Sequence, residues 1–248
     1  MKTVVCFGAS LTAGTVSCNY LDLLSARPAL SGFRFVNHGV NSDLAWNGLQ
    51  RLDAALVERP DFFTILIGTN DVNATLSERN RIRYLQFNHL PTEPTLEWYE
   101  ETMTTVVRRV REETGARVAL LSLAVIGEDL EHEANRQLER YNEAIRRVAA
   151  AEKADYLPLN ETMIAYLREH EGDRAGLPPR LAYRDGLHNV GNAVALHHTG
   201  LSWDEVSQRN GLLLTTDTLH LNSVGAGMIA DLIEGWLCQK SEDGQAKP

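Results

Sequence analysis

The sequence predicts an α/β protein, a single doubly wound parallel sheet with helices on both faces. Three observations carry that prediction. Apolar runs of strand length alternate with segments of helical periodicity, which calls for parallel strands joined by right-handed crossovers. The runs are rich in Val, Ile and Phe without polar alternation, as strands buried on both faces require. At 248 residues the chain can bury one sizeable core, so one domain over residues 1–238 is expected, followed by a disordered tail over 239–248. A strand order like that of flavodoxin fits best.

The strands are expected at Thr3 to Phe7, Phe33 to Asn37, Phe62 to Ile67, Arg117 to Leu123 and Asp155 to Leu159. A short helix is expected near Ala13 and a longer one from Leu44 to Glu58. Leu96, Tyr99, Met103, Val106, Val107 and Val110 place one apolar stripe on a third helix, with Glu97, Glu100 and Glu101 early, Arg108, Arg109 and Arg111 late, and Gly115 beyond the end. That charge order suits the helix dipole, and the glycine suits a left-handed stop. A long helix follows from about Glu128 to Lys153, and the last spans Ser223 to Cys238. Two stretches, near 72–94 and 171–215, break the alternation and read as irregular insertions, the second with a short helical candidate at Ser202 to Gln208.

Bulk properties exclude several classes. A formal charge of −9 with no long basic run argues against binding to nucleic acid backbones. No apolar stretch approaches the ~20 residues of a membrane span, and the apolar start before Gly8 is too short for a secretory signal, so the cytoplasm is the expected location. Cys6, Cys18 and Cys238 are few and far apart, which fits reduced thiols and not a disulfide framework or a zinc site. Cys18 is near Ser10 in sequence, but nothing beside it would lower its pKa. No Gly-x-Gly-x-x-Gly follows the first strand, which removes the usual dinucleotide reading.

Four short peptides carry chemistry: Gly8-Ala9-Ser10-Leu11-Thr12, Asn37-His38-Gly39-Val40-Asn41, Gly68-Thr69-Asn70-Asp71 and Asp217-Thr218-Leu219-His220. The first three each end a predicted strand, so they should emerge together at the carboxyl edge of the sheet, where open α/β folds bind ligands. Ser10 is then a nucleophile on a tight turn, although a helix cap is the bland alternative. Gly39 can bring a backbone N–H close to a ligand, and Asn70 offers an amide donor. His220 would take the serine proton, with Asp217 holding the other ring nitrogen. Asp185 and His188 have the same spacing and are a rival pair. His220 is preferred because the amphipathic last helix follows it directly. His188, His197 and His198 with Asp185 match no metal signature, so no metal or cofactor is expected.

In order and spacing these peptides resemble the four sequence blocks of the SGNH hydrolases, also called the GDSL esterase and lipase family. The resemblance implies a metal-independent serine hydrolase acting on small-molecule carboxylic esters, with Ser10 as nucleophile, His220 as base and Asp217 as its partner. It likewise implies an oxyanion hole made by Ser10, Gly39 and Asn70. The chain departs from the family pattern at Ala9, commonly Asp, and at Thr218, frequently Gly. A thioesterase or acyltransferase would use the same residues, and a non-catalytic binder on the same fold would not need the Asp–His pair.

Overall fold

The computed structural model describes residues 1–242. Five strands, β1 (Lys2–Gly8), β2 (Phe33–Gly39), β3 (Phe62–Leu66), β4 (Arg117–Leu121) and β5 (Asp155–Leu157), form one sheet in the order β2-β1-β3-β4-β5, every pair parallel. Val4, Val5, Cys6 and Phe7 of the central β1 are all fully buried, which is why that strand reads as an unbroken apolar run.

Helices fill the crossovers. After β1 come α1 (Ser10–Ala13) and α2 (Tyr20–Ser25); after β2, α3 (Ala45–Gln50) and α4 (Leu52–Leu56). After β3 come α5 (Thr69–Leu76), α6 (Glu78–Phe87) and α7 (Leu96–Thr114); after β4, α8 (Glu133–Ala151). Beyond β5 lie α9 (Leu159–Glu169), α10 (His188–His198), α11 (Trp203–Arg209) and α12 (Ser223–Glu242). The step from β1 to β2 runs opposite to the three later steps, so right-handed crossovers put α2 on one face and α3, α4, α7 and α8 on the other. The packing follows this division: α2 and α9 both meet α12, while α7 meets α3, α4 and α8. Among the described residues no helix is long and apolar enough to cross a membrane.

Several boundaries differ from expectation for identifiable reasons. The first helix begins at Ser10 itself and stops at Gly14 in the left-handed region, φ 69°. The stretch 44–58 is two helices, broken at Arg51, whose side chain is drawn to the carboxyl ends of β1 and β2. Residues 128–132 stay out of α8 because Glu128 is committed elsewhere, as described below. The stretch 72–94 is largely helical: α5 continues through it, then the Ser77 hydroxyl accepts from Asn80 N and starts α6. Within 171–215 lie α10 and α11, the latter close to its expected span. The last helix continues to Glu242, so residues 239–242 are not a tail, and 243–248 lie outside the described residues. Helices α2 and α9 had no clear sequence signal.

Candidate active site

The strand order reverses between β1 and β3, and the crevice at their carboxyl ends holds the motifs. Gly8 pairs in register with Gly39 on one side and Leu66 on the other, so the turns after all three strands start level with one another. Arg51 ties two of them together. Its guanidinium donates to Gly8 O at 2.8 Å and His38 O at 2.9 Å, pairs with Asp43 at 2.6 Å, and lies over the Phe7 ring.

Ser10 is the first residue of α1, and the helix leaves its own N–H unpaired at the N-terminus. Its Oγ lies 2.9 Å from His220 Nε2, across 210 residues of chain. His220 Nδ1 lies 2.7 Å from Asp217 Oδ2, and the other carboxylate oxygen accepts from the Leu219 and His220 N–H groups at 2.9 and 2.8 Å. Burial by itself would raise the Asp217 carboxyl; the His220 ring and these donors outweigh it and hold the group below its ordinary value. An ionised carboxylate only accepts, so Nδ1 carries the proton and Nε2 is free to accept from the serine hydroxyl.

The loop carrying Asp217 and His220 is anchored by a residue the sequence reading passed over. Glu128, with its side chain wholly buried, accepts from the N–H groups of Leu213, Leu214 and Thr215, from the Thr215 hydroxyl, and from Arg174 at 2.6 Å. Gly127 N adds a bond to Thr218 O at 2.7 Å. Thr218 itself sits at φ 84°, where glycine is at ease and a β-branched residue is strained. The anchoring on either side of it holds that conformation in place.

Asn70 lies on the first turn of α5. Gly68 precedes it at φ 140°, and a Cβ there would stand 2.7 Å from the Tyr99 hydroxyl, so only glycine lets the turn pass. Tyr84 on α6 donates to Asn70 Oδ1 at 2.7 Å, and Asn70 Nδ2 donates to Asp43 O at 2.9 Å. The amide is thereby fixed with its NH₂ toward the cleft side, leaving one N–H unused. Next to it the Asp71 carboxyl is buried and pushed up to about 8, chiefly by desolvation, although Ala45 N donates to it.

Gly39 departs from its expected place. Its N–H is taken by Asn37 Oδ1 at 2.9 Å, and a Cβ on it would fall 2.1 Å from Ala13 N. It is a glycine because β2 packs there against the backbone of α1, and it is absent from the cavity wall. Three residues on, Ser42 does line the cavity; it adopts φ 66°, and its N–H has no intramolecular partner. Ser42 thus brings an unpaired backbone donor to the cavity that Ser10 and Asn70 also line. No sequence signal marked it, since serine is not the residue expected at positive φ.

The rival pair does not assemble. His188 is exposed at the start of α10 beside Asn192, while Asp185 is held by Asn80 and Tyr183. His197 hydrogen-bonds Leu201 O and stacks on Trp203. Burial raises the Cys18 thiol, with Asp204 and Asp22 adding to the effect, so it is not a poised thiolate.

A cavity of about 340 Å³ opens beside Ser10 and His220. Leu11, Val16, Ile67, Phe87, Leu187 and Val190 make much of its wall apolar.

A sequence profile of the GDSL-like lipase/acylhydrolase family matches residues 6–227. Among curated proteins no sequence matches. Solved structures share the fold. An acetyl xylan esterase, AlAXEase, superposes with a TM-score of 0.66 at 19% identity, covering 94% of this chain and 98% of its own. A lipase/acylhydrolase from Enterococcus faecalis gives 0.64 at 21% identity, with 97% of each chain covered. A catalytic mutant of Axe2, an acetylxylan esterase from Geobacillus stearothermophilus, gives 0.61 at 16%, covering 94% of this chain and 92% of its own.

Proposed function

The chain belongs to the GDSL-like lipase/acylhydrolase family, whose ester-hydrolysing serine chemistry it shares, and we propose that Ser10, His220 and Asp217 carry that chemistry here. The observation that supports this most directly is the pair of short contacts, 2.9 Å from Ser10 Oγ to His220 Nε2 and 2.7 Å from His220 Nδ1 to Asp217.

Ser10 Oγ attacks the ester carbonyl carbon while its proton passes to His220 Nε2. The carbonyl π pair moves to oxygen, giving a tetrahedral oxyanion. The donors offered to that oxygen are the Ser10 N–H, the Ser42 N–H in place of the expected Gly39, and the free Asn70 N–H, all from residues lining one cavity. Collapse breaks the bond to the alcohol, which leaves with the proton from His220. Water then attacks the acyl-serine, giving its proton to His220, and the second collapse releases the acid and restores Ser10. Asp217 stays ionised throughout and stabilises the imidazolium.

Hydrolysis of p-nitrophenyl esters by the purified chain tests this reading. Turnover is expected for the wild type and for His188→Ala, and is expected to vanish in Ser10→Ala and His220→Ala. Full activity in His220→Ala with loss in His188→Ala would transfer the base to the other loop.

A further inference from the structure

Helix α6 carries three arginines, and they are treated differently by the fold. Arg81 is neutralised by Glu78, at 2.5 Å, and by Glu93. Arg79 and Arg83 lie four residues apart, on one side of the helix, and neither makes an ion pair. That side is turned to the cavity: Arg83 lines it with Ser10 and Asn70, and Arg79 approaches Gly186 of the opposite wall, where a Cβ would be 3.6 Å from its Nη2.

The Arg83 guanidinium lies over the Tyr84 ring, 4.6 Å from its centroid, and its Nη1 is sealed from solvent without a hydrogen-bond acceptor. Asn88 Oδ1, in the same wall, is likewise buried and unpartnered. Leaving a charged donor unpaired is among the costlier states a fold can hold. Among the described residues the Tyr84 side chain meets the guanidinium, and no carboxylate pairs with it. The cation is also unlike its surroundings, since the chain as a whole carries −9 and would repel an anion without a local positive group.

We propose that this cavity recognises an ester bearing a carboxylate at the far end of a short hydrocarbon chain, with Arg83 pairing the carboxylate and the apolar wall covering the chain. The inference rests on the ester-hydrolase reading above and names its substrate class. At about 30 Å³ per water-sized unit, 340 Å³ holds on the order of ten heavy atoms, enough for a dicarboxylic half-acid of medium length. A monoanion matches one lining guanidinium, and the planar carboxylate fits its fork. A dianionic phosphate would leave uncompensated charge against an apolar wall.

The test is a ratio within each enzyme: kcat/KM for 4-nitrophenyl hydrogen adipate over that for 4-nitrophenyl hexanoate, which has the same carbon count and no charge. The wild type is expected to favour the half-ester by about tenfold or more, the scale of a charge-assisted hydrogen bond. Arg83→Met is expected to lower the ratio by a similar factor, and Arg83→Lys to keep part of the preference. Adipamate, a monoanion with the same carbon count whose far end is an uncharged amide, should inhibit hexanoate hydrolysis more strongly than inorganic phosphate does. A ratio unmoved by Arg83→Met, or stronger inhibition by phosphate, overturns the carboxylate assignment. Failure of the wild type to turn over either ester would overturn the hydrolase reading itself, and this inference with it.

Discussion

Removing one oxygen from Tyr84 should weaken catalysis through Asn70. The Tyr84 hydroxyl donates to Asn70 Oδ1 at 2.7 Å, and Asn70 is buried, so Tyr84→Phe removes the donor that orients its amide. A hydrogen bond of this kind contributes about 0.5–1.5 kcal/mol net, and that is the energy fixing which end of the amide faces the developing oxyanion. If all of it is expressed in the transition state, kcat falls by up to about tenfold. Complete loss of the donor in Asn70→Ala sets the outer bound, roughly 10²- to 10³-fold. Steady-state kinetics on a p-nitrophenyl ester, with thermal melting to confirm folding, measures both. The expected pattern is a drop in kcat with KM little changed. Because Tyr84 acts through Asn70, adding Tyr84→Phe to Asn70→Ala should cost nothing further. An unchanged kcat in Tyr84→Phe, or losses that multiply in the double variant, would refute the reasoning.

Asp217→Asn should keep the fold and lower kcat by roughly 10³- to 10⁴-fold, because the amide no longer selects the tautomer with Nε2 free; steady-state kinetics on the same ester checks it. The same carboxyl is held below its ordinary value when folded, so its contribution to stability is complete above the unfolded carboxylate's pKa of ~3.9 and is lost as pH falls through the lower folded value. Asp71 has the opposite sign. Its folded pKa of about 8 lies above the unfolded value, so the folded state keeps a proton that the unfolded chain has released, and stability falls as pH rises from about 4 to 8. The slope approaches about 1.4 kcal/mol per pH unit; Asp71→Asn should flatten it, as denaturant melts across that window would show. Gly39→Ala should lower stability by more than the usual 1–3 kcal/mol of overpacking, since the new Cβ meets backbone at 2.1 Å and not a movable side chain. A melting temperature equal to wild type would contradict the close approach of β2 to α1.

What could be read in advance followed from local physics. A strand buried on both faces must be apolar throughout, so Val4 to Phe7 and Phe62 to Leu66 declared themselves, and parallel pairing then fixed which turns share an edge. That Ser10 and His220 meet across 210 positions was legible because the order and spacing of the four peptides resemble those of a known family, not from either residue's own surroundings. Other features depend on contacts that no short window contains. Glu128 reads as an ordinary surface acid until three backbone N–H groups from residues 213–215 close around it. Helix α6, with three arginines among ten residues, lacks a clean apolar stripe because one side packs Tyr84 onto Leu44, Ala74 and Leu90 while another faces the cavity. Gly39 drew attention as a glycine after a strand, yet its small size serves packing. Ser42 adopts the left-handed turn without the residue that usually announces one.

The central claim is that imidazole makes one serine oxygen, and no other, reactive. Incubation with a fluorophosphonate followed by peptide mass mapping tests it directly. The expected result is a single adduct on Ser10, formed rapidly by the wild type and abolished or strongly slowed in folded His220→Ala. An adduct on another residue, or labelling of Ser10 at the same rate without His220, would contradict it.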